Sequence, residues 1–367
     1  MTEPLPQGRA AATRGVALLR FGGCTSAAPS AAGSCAAARA SLSAFSLRWD
    51  ASIAGHGAFT TAPAPYLPPF RRAAGVPVTS RLVALAARAL AEAADGLVAP
   101  ANGAPVPVLL GVPSPRPGLP DDAVAAVCAR LASDLAARGL SAAIETFPLD
   151  HAAGLAALER AVARIRARAC EACLVGGVDS YLAGETLAWL HEREQLKSER
   201  NRWGFVAGEG AGFCVVAPPA LAERRGITPA AIVLSAATAR EDVPPRTEAP
   251  SIGAGLTAAL RAALAPLPAG AQVDEIVCDL NGERWRGDEA GMSIPRVARS
   301  LAEPGRFAAP ALAWGDVGAA SGPLFLALAA HAAARGAASG PLALAWTSSE
   351  GGARSAALLS TRCIERE

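Results

Sequence analysis

Short strand-like runs alternate with helix-length segments along this chain, and the second half repeats the order of the first. Runs bounded by turn residues fall at 15–21, 107–112, 142–147, 173–178 and 212–217, as expected of buried strands. Between them, 81–94, 121–137 and 151–167 carry apolar residues at three- and four-residue spacing, as in Ala156, Leu158, Val162 and Ile165, which predicts amphipathic helices. In the second half, 231–237, 274–280, 310–314, 342–346 and 355–359 read as strands, and 253–265, 288–301 and 318–335 as helices. Each half therefore reads βαβαβαββ. The repeat extends to residues: Pro148-Leu149-Asp150-His151-Ala152-Ala153-Gly154 precedes the third helix of the first half, and Ala313-Trp314-Gly315-Asp316-Val317-Gly318-Ala319 that of the second. Strands alternating with helices imply an α/β fold with a parallel sheet covered on both faces, and duplication buries two sheets against shared central helices. The halves are expected at 1–222 and 223–367.

Composition agrees with a large core. The 367 residues are 51% apolar with a mean hydropathy of +0.28, which excludes a disordered chain and a single small module. Lys and Arg number 34 against 32 Asp and Glu, a net charge of +2, so no large positive field exists to hold nucleic acid or an anionic membrane. Cysteines at 24, 35, 128, 170, 173, 214, 278 and 363 are scattered through apolar runs, which points to a reduced, cytoplasmic compartment rather than a disulfide framework. The Cys170-x-x-Cys173 pair lacks the second pair or histidines that would make a metal site, so none is expected. His56, His191 and His331 are expected at the surface or with local partners. Residues 1–14 carry Glu3, Arg9, Arg14 and two prolines around no apolar stretch, unlike a signal peptide. The uncharged stretch 317–334 contains Gly318, Ser321, Gly322, Pro323 and His331 and reads as a buried helix rather than a membrane span.

The most specific stretch is Gly204-Phe205-Val206-Ala207-Gly208-Glu209-Gly210-Ala211-Gly212, leading into a strand at 213–217. Glycines around one glutamate describe a backbone that turns tightly and approaches another backbone closely, with the Glu209 carboxylate accepting main-chain hydrogen bonds. No Lys or Ser/Thr follows in P-loop spacing, and the run enters a strand rather than a helix, against a phosphate cradle.

Preceded by Leu174-Val175-Gly176-Gly177-Val178-Asp179 and Leu196-Lys197-Ser198, this run resembles the β-ketoacyl synthase branch of the thiolase-fold superfamily. Gly351-Gly352-Ala353 before the last strand is similar to that family's C-terminal glycine turn. The resemblance covers nearly the whole chain and implies the thiolase fold, a five-layered α/β/α/β/α sandwich of two βαβαβαββ units. It further implies Gly208, Glu209, Gly210, Gly212, Gly351 and Gly352 as a structural motif, no cofactor, and a dimer paired through the third strand of the first half. The family's chemistry is acyl transfer to a cysteine thiolate followed by decarboxylative condensation, with two imidazoles stabilising the enolate and oxyanion.

At the three positions the resemblance assigns to that chemistry, this sequence departs. His151 stands where the family's cysteine opens the third helix of the first half; it can serve as a base or simply fill the old pocket. Asn281 stands at the first histidine if the alignment is anchored on Gly282, and Arg286 if it is anchored on Gly287-Asp288. Asn281 can donate to an oxyanion or form an Asx turn. Asp316 replaces the second histidine and is a natural helix cap. The family's phenylalanine gate becomes Ser348-Ser349-Glu350.

The expectation is a ketosynthase-like protein without condensing activity, serving as a partner subunit in fatty acid or polyketide-type metabolism: a homodimer, or a heterodimer with a ketosynthase. Alternatives are an acyltransferase or acyl-thioester hydrolase using His151 and Asp316 without a cysteinyl intermediate, and a protein that binds acyl chains or acyl carrier protein. His151 and Asp316 are expected within hydrogen-bond reach across the two helix N-termini.

Overall fold

A computed structural model describes residues 15–48, 58–66, 76–100, 102–247 and 249–361; His56 and Cys363 lie outside them. The chain runs β1 (Val16–Thr25), α1 (Ala31–Arg39), β2 (Ser46–Arg48), β3 (Phe59–Ala62), α2 (Val78–Ala93), β4 (Val106–Val112), α3 (Ala123–Ala136), β5 (Ala142–Pro148), α4 (Ala153–Arg166), β6 (Cys173–Ser180), α5 (Gly184–Glu192) and β7 (Ala207–Ala217). It continues through α6 (Pro219–Arg224), β8 (Ala231–Arg240), α7 (Ala254–Leu264), β9 (Glu275–Cys278), α8 (Arg284–Ser293), α9 (Ala311–Trp314), α10 (Ser321–Ala334), β10 (Leu342–Ser348) and β11 (Ala353–Ser360).

The strands follow the order β5-β4-β6-β7-β1-β8-β11-β10-β9. Within the first half β4 is parallel to β5 and β6, while β7 is antiparallel to β6 and β1. The second half mirrors this order: β9 is parallel to β10, and β11 is antiparallel to β10 and β8. The two half-sheets join edge to edge through Val16↔Val233, Ala17↔Ile232 and Leu18↔Ala231, so backbone pairing is continuous across the duplication. The expected division at residues 222 and 223 falls inside α6.

Five layers result. Helices α2 and α3 cover the outer face of the first half through Leu82, Leu85, Leu90, Val127 and Leu131. Helix α7 covers that of the second through Leu256 and Leu260. Between the sheets α4 and α10 share one core, where Leu155, Leu158 and Val162 meet Leu324, Phe325 and Leu328. That central position explains two sequence patterns. Strand β6 is buried at every residue rather than at alternate ones, because helices cover both its faces. Helix α10 is buried nearly all round, from Ser321 to Ala332, which is why 317–334 is so apolar. Among the described residues no helix is long and apolar enough to cross a membrane.

Three local expectations are corrected. Residues 310–314 do not form the third strand of the second half: only Ala308 pairs, in a single bridge to Val277, and Pro310, whose φ is fixed near a helical value, starts α9 over the helix formers Ala311–Trp314. The helix expected at 288–301 begins earlier, at Arg284, and ends at Ser293 before Pro295, giving way to 3-10 turns at 294–296 and 298–300. The glycine run is strand from Ala207 onward rather than a tight turn. Its close approaches are real, since a Cβ on Gly208 would lie 2.7 Å from the Asp316 carbonyl oxygen.

Candidate functional site

His151 is aimed inward by a strained turn. Asp150 sits at φ 48°, in the left-handed region that costs a non-glycine residue about 1–2 kcal/mol. Its carboxylate offsets this by accepting from Ser114 N at 2.7 Å and Ser114 Oγ at 2.8 Å. The chain thereby turns abruptly out of β5 into the 3-10 turn Asp150–Ala152. The openings of α4 and α10 then abut so closely that a Cβ on Gly154 would lie 2.4 Å from Pro323 Cδ. This contact brings the two helix starts of the duplication face to face.

Asp316 is held from the other side by the glycine strand. Its N–H donates to Val206 O at 2.7 Å, and its carbonyl accepts from Gly208 N at 3.0 Å. The side chain meets His151 Nε2 at 2.8 and 2.9 Å through its two oxygens. It also accepts from Asn281 Nδ2 at 2.6 Å and from Gly318 N at 2.8 Å. Of the two readings the sequence left open, the Asx turn is present, with Asn281 Oδ1 accepting from Glu283 N at 2.9 Å, and the amide nitrogen donates to the Asp316 carboxylate. Asp316 likewise caps the turn at Gly318 and pairs with His151 at once.

The fourth member is Arg286, the other anchoring the sequence allowed. Its Nη1 donates to Asp279 Oδ2 and to Ser348 O, each at 2.6 Å, and its Nε to Glu283 Oε2 at 3.2 Å. Nη2 lies 3.1 Å from Nε2 and 3.3 Å from Nδ1 of His151. Sequence reasoning missed Asp279, Glu283 and Ser349 as neighbours; the charge spacing Asp279, Glu283, Arg286 beside Asn281 was the available signal. Ser349, in the C-terminal glycine turn, accepts from Ala152 N at 2.9 Å. Gly352 in that turn has φ 95°, whereas Gly351 faces open space.

The electrostatics favour an ion pair. Burial and the Arg286 cation push the His151 pKa down, but the Asp316 charge and hydrogen bond, with Asp279 behind them, outweigh both and raise it above 6.5. Burial alone would raise Asp316; the His151 and Arg286 charges and the Asn281 hydrogen bond hold it well below the usual carboxylate range. The network is almost closed to solvent, with His151 7% and Asp316 3% exposed. What space remains beside them, lined by Asp279, Trp314, Ser321 and Phe325, amounts to about 10 Å³, room for about one water molecule.

Among the described cysteines none is poised as a thiolate nearby. Burial pushes Cys24, Cys35 and Cys214 up to about 12 and raises Cys278 further, the opposite of what a nucleophilic cysteine requires. Among the described residues no group of His, Cys, Asp and Glu is arranged to hold a metal ion. The Glu209 carboxylate serves the scaffold: it accepts from Ala64 N at 2.7 Å, Ser180 Oγ at 2.9 Å and Arg81 Nε at 2.7 Å, tying β7 to β6 and α2. The main-chain acceptor role was legible in the glycine run; the Arg81 partner was not.

Residues 113–222 match the family model described as the N-terminal domain of beta-ketoacyl synthase. No curated protein sequence matches the chain. Among solved structures it is similar to the ishigamide ketosynthase/chain length factor, with 23% identity, a TM-score of 0.68, and 96% of this chain aligned to 100% of that one. It is also similar to a chain of the AntDE:AntF complex, a type II PKS acyl-carrier protein with its ketosynthase bound to the hexaketide, at 16% identity and a TM-score of 0.78 over 96% of this chain and 100% of that one. A third is the ketosynthase from module 6 of the bacillaene synthase of Bacillus subtilis 168, at 15% identity and a TM-score of 0.72 over 94% of this chain and 72% of that one.

Proposed function

Because the chain is a β-ketoacyl-synthase-like protein of the thiolase fold, we propose that it acts in polyketide biosynthesis as a subunit without condensing activity, pairing with a ketosynthase in the manner of a chain length factor. One observation carries this reading: a buried cluster, in which the Asp316 carboxylate is bonded to His151 and Asn281 and the Arg286 guanidinium lies against the imidazole, occupies the start of α4. It leaves space for about one water and offers no thiol. An acyl chain has no room to enter there. A carboxylate at Asp316 would repel an oxyanion rather than stabilise it. The ketosynthase partner and an acyl carrier protein are the binding partners of this reading, with the polyketide as their shared cargo.

The His151–Asp316 contact favours a second reading, thioester hydrolysis by an imidazole base acting on the single water. Against it, Nε2 is engaged with Asp316 and the Arg286 guanidinium lies across both ring nitrogens, leaving no free lone pair to take the water's proton. One experiment separates the two. The protein incubated with acyl- and malonyl-thioesters is expected to show no acyl adduct by intact mass and no thioester loss above that of His151→Ala and Asp316→Ala variants. One acyl group per chain overturns the non-catalytic reading, and hydrolysis lost in either variant establishes the second.

A further inference from the structure

The Cys170-x-x-Cys173 pair has no part in the site above, and the fold puts it at the opposite end of α4 from His151. After Arg166 the helix closes with Arg168 N–H on Ile165 O at 3.0 Å and Ala169 N–H on Arg164 O at 2.9 Å, Arg168 taking φ 55°. This reversal lays Cys170 against the first residue of β6, so the two sulfurs stand 3.2 Å apart. A disulfide bond needs about 2.03–2.05 Å, so closure requires a movement of roughly 1 Å. The two cysteines are unequally placed to make it. Cys173 is fully buried and paired with Val216 in the sheet. Cys170 precedes the strand, is half-buried, and lies between the exposed residues Ala169 and Glu171.

We propose that Cys170 and Cys173 form a reversible intramolecular disulfide by exchange with a small-molecule disulfide of the oxidised-glutathione class. Cys170, the less buried of the two thiols, gives its proton to solvent and attacks one sulfur of the small disulfide. That S–S bond breaks, a mixed disulfide forms on Cys170, and one small thiolate leaves. Cys173 then attacks the Cys170 sulfur, its proton going to the second small thiolate as it departs. Two protein thiols are oxidised and one small disulfide is reduced to two thiols. Burial and the adjacent Cys170 thiol raise the Cys173 pKa, while Arg164 opposes them. The order of attack follows from the geometry, because Cys170 is the less buried of the two and Cys173 lies inside the sheet.

The test treats the native protein with oxidised glutathione, alkylates the remaining thiols, and reads intact mass and tryptic peptides. The parent is expected to lose two hydrogens, to carry two fewer alkyl groups, and to yield the peptide beginning at Ala169 two hydrogens lighter, all reversed by dithiothreitol. Cys173→Ala is expected to stop at one glutathionyl group on Cys170, and Cys170→Ser to take up neither modification. A parent that stays reduced, that ends as a stable glutathione adduct on Cys170, or whose disulfide maps to other cysteines overturns the proposal.

Discussion

Arg286 and Asp316 pull the protonation of His151 in opposite directions, and the carboxylate wins because Asp279 and Glu283 already pair with the guanidinium. The consequence for stability has a definite sign. A histidine whose folded pKa is raised adds stability that is complete below its unfolded value, near 6.5, and is lost as pH rises through the folded value. Asp316, depressed, adds stability present above about 3.9 and lost as pH falls through its lower folded value. Urea unfolding of the parent and of His151→Ala should therefore show the largest gap between these limits, shrinking as pH is raised above about 6.5; a gap that widens instead would reverse the assignment. Asp316→Asn leaves a buried imidazole against Arg286 without its counter-ion and is expected to cost about 3–5 kcal/mol, read as a lowered urea midpoint at pH 6. The sequence identified three of these four side chains by aligning them with positions of known chemistry, and Arg286 only as an alternative. The closed network was not legible, because nothing in residue order says that a guanidinium folds back over an imidazole 135 positions away.

Strands and helices were legible where one physical signal dominated. Buried runs such as β6 and periodic stretches such as α4 needed only hydrophobic pattern. Two of the three failures, α9 for a strand and the start of β7 for a loop, came where apolar small residues carry no period. In β7 the glycines exist for contact rather than turning: their bare backbones let Asp316 and the opening of α10 pass within van der Waals range. The same device operates at Gly177, where a Cβ would lie 2.2 Å from the Ala319 carbonyl oxygen, backbone against backbone. Gly177→Ala cannot be relieved by a rotamer change, so it is expected to cost at least the roughly 1–3 kcal/mol of an overpacked core. Gly351→Ala, with nothing within 4 Å, should stay within about 0.5 kcal/mol of the parent. Thermal melts of the two variants check the contrast, and equal losses in both would show that contact is not what these glycines are for.

On the scale of the whole molecule, the two halves share one core, with Leu158 and Val175 from the first packed with Leu326 and Ala357 from the second. Neither half retains its interior alone. The exposed feature this leaves is the outer edge of the sheet. Among the described residues strand β5 pairs only with β4, and along it Ala143 and Thr146 are exposed while Ile144 and Phe147 are half-buried. It carries one charge, Glu145, and that charge is turned to Arg164 and Arg160 of the chain's own α4. An unblocked edge of this length invites pairing with another chain, which is where the proposed subunit partner would add its own strand. Light scattering is expected to give the mass of two chains for the protein alone, or for a mixture with its ketosynthase if the pairing is heterologous. Ala143→Lys with Thr146→Lys sets like charges along the edge and should return single chains without lowering the melting temperature of the monomer, since neither side chain is part of the core. A monodisperse single chain both alone and with the ketosynthase, or a dimer indifferent to both lysines, would move the interface away from β5.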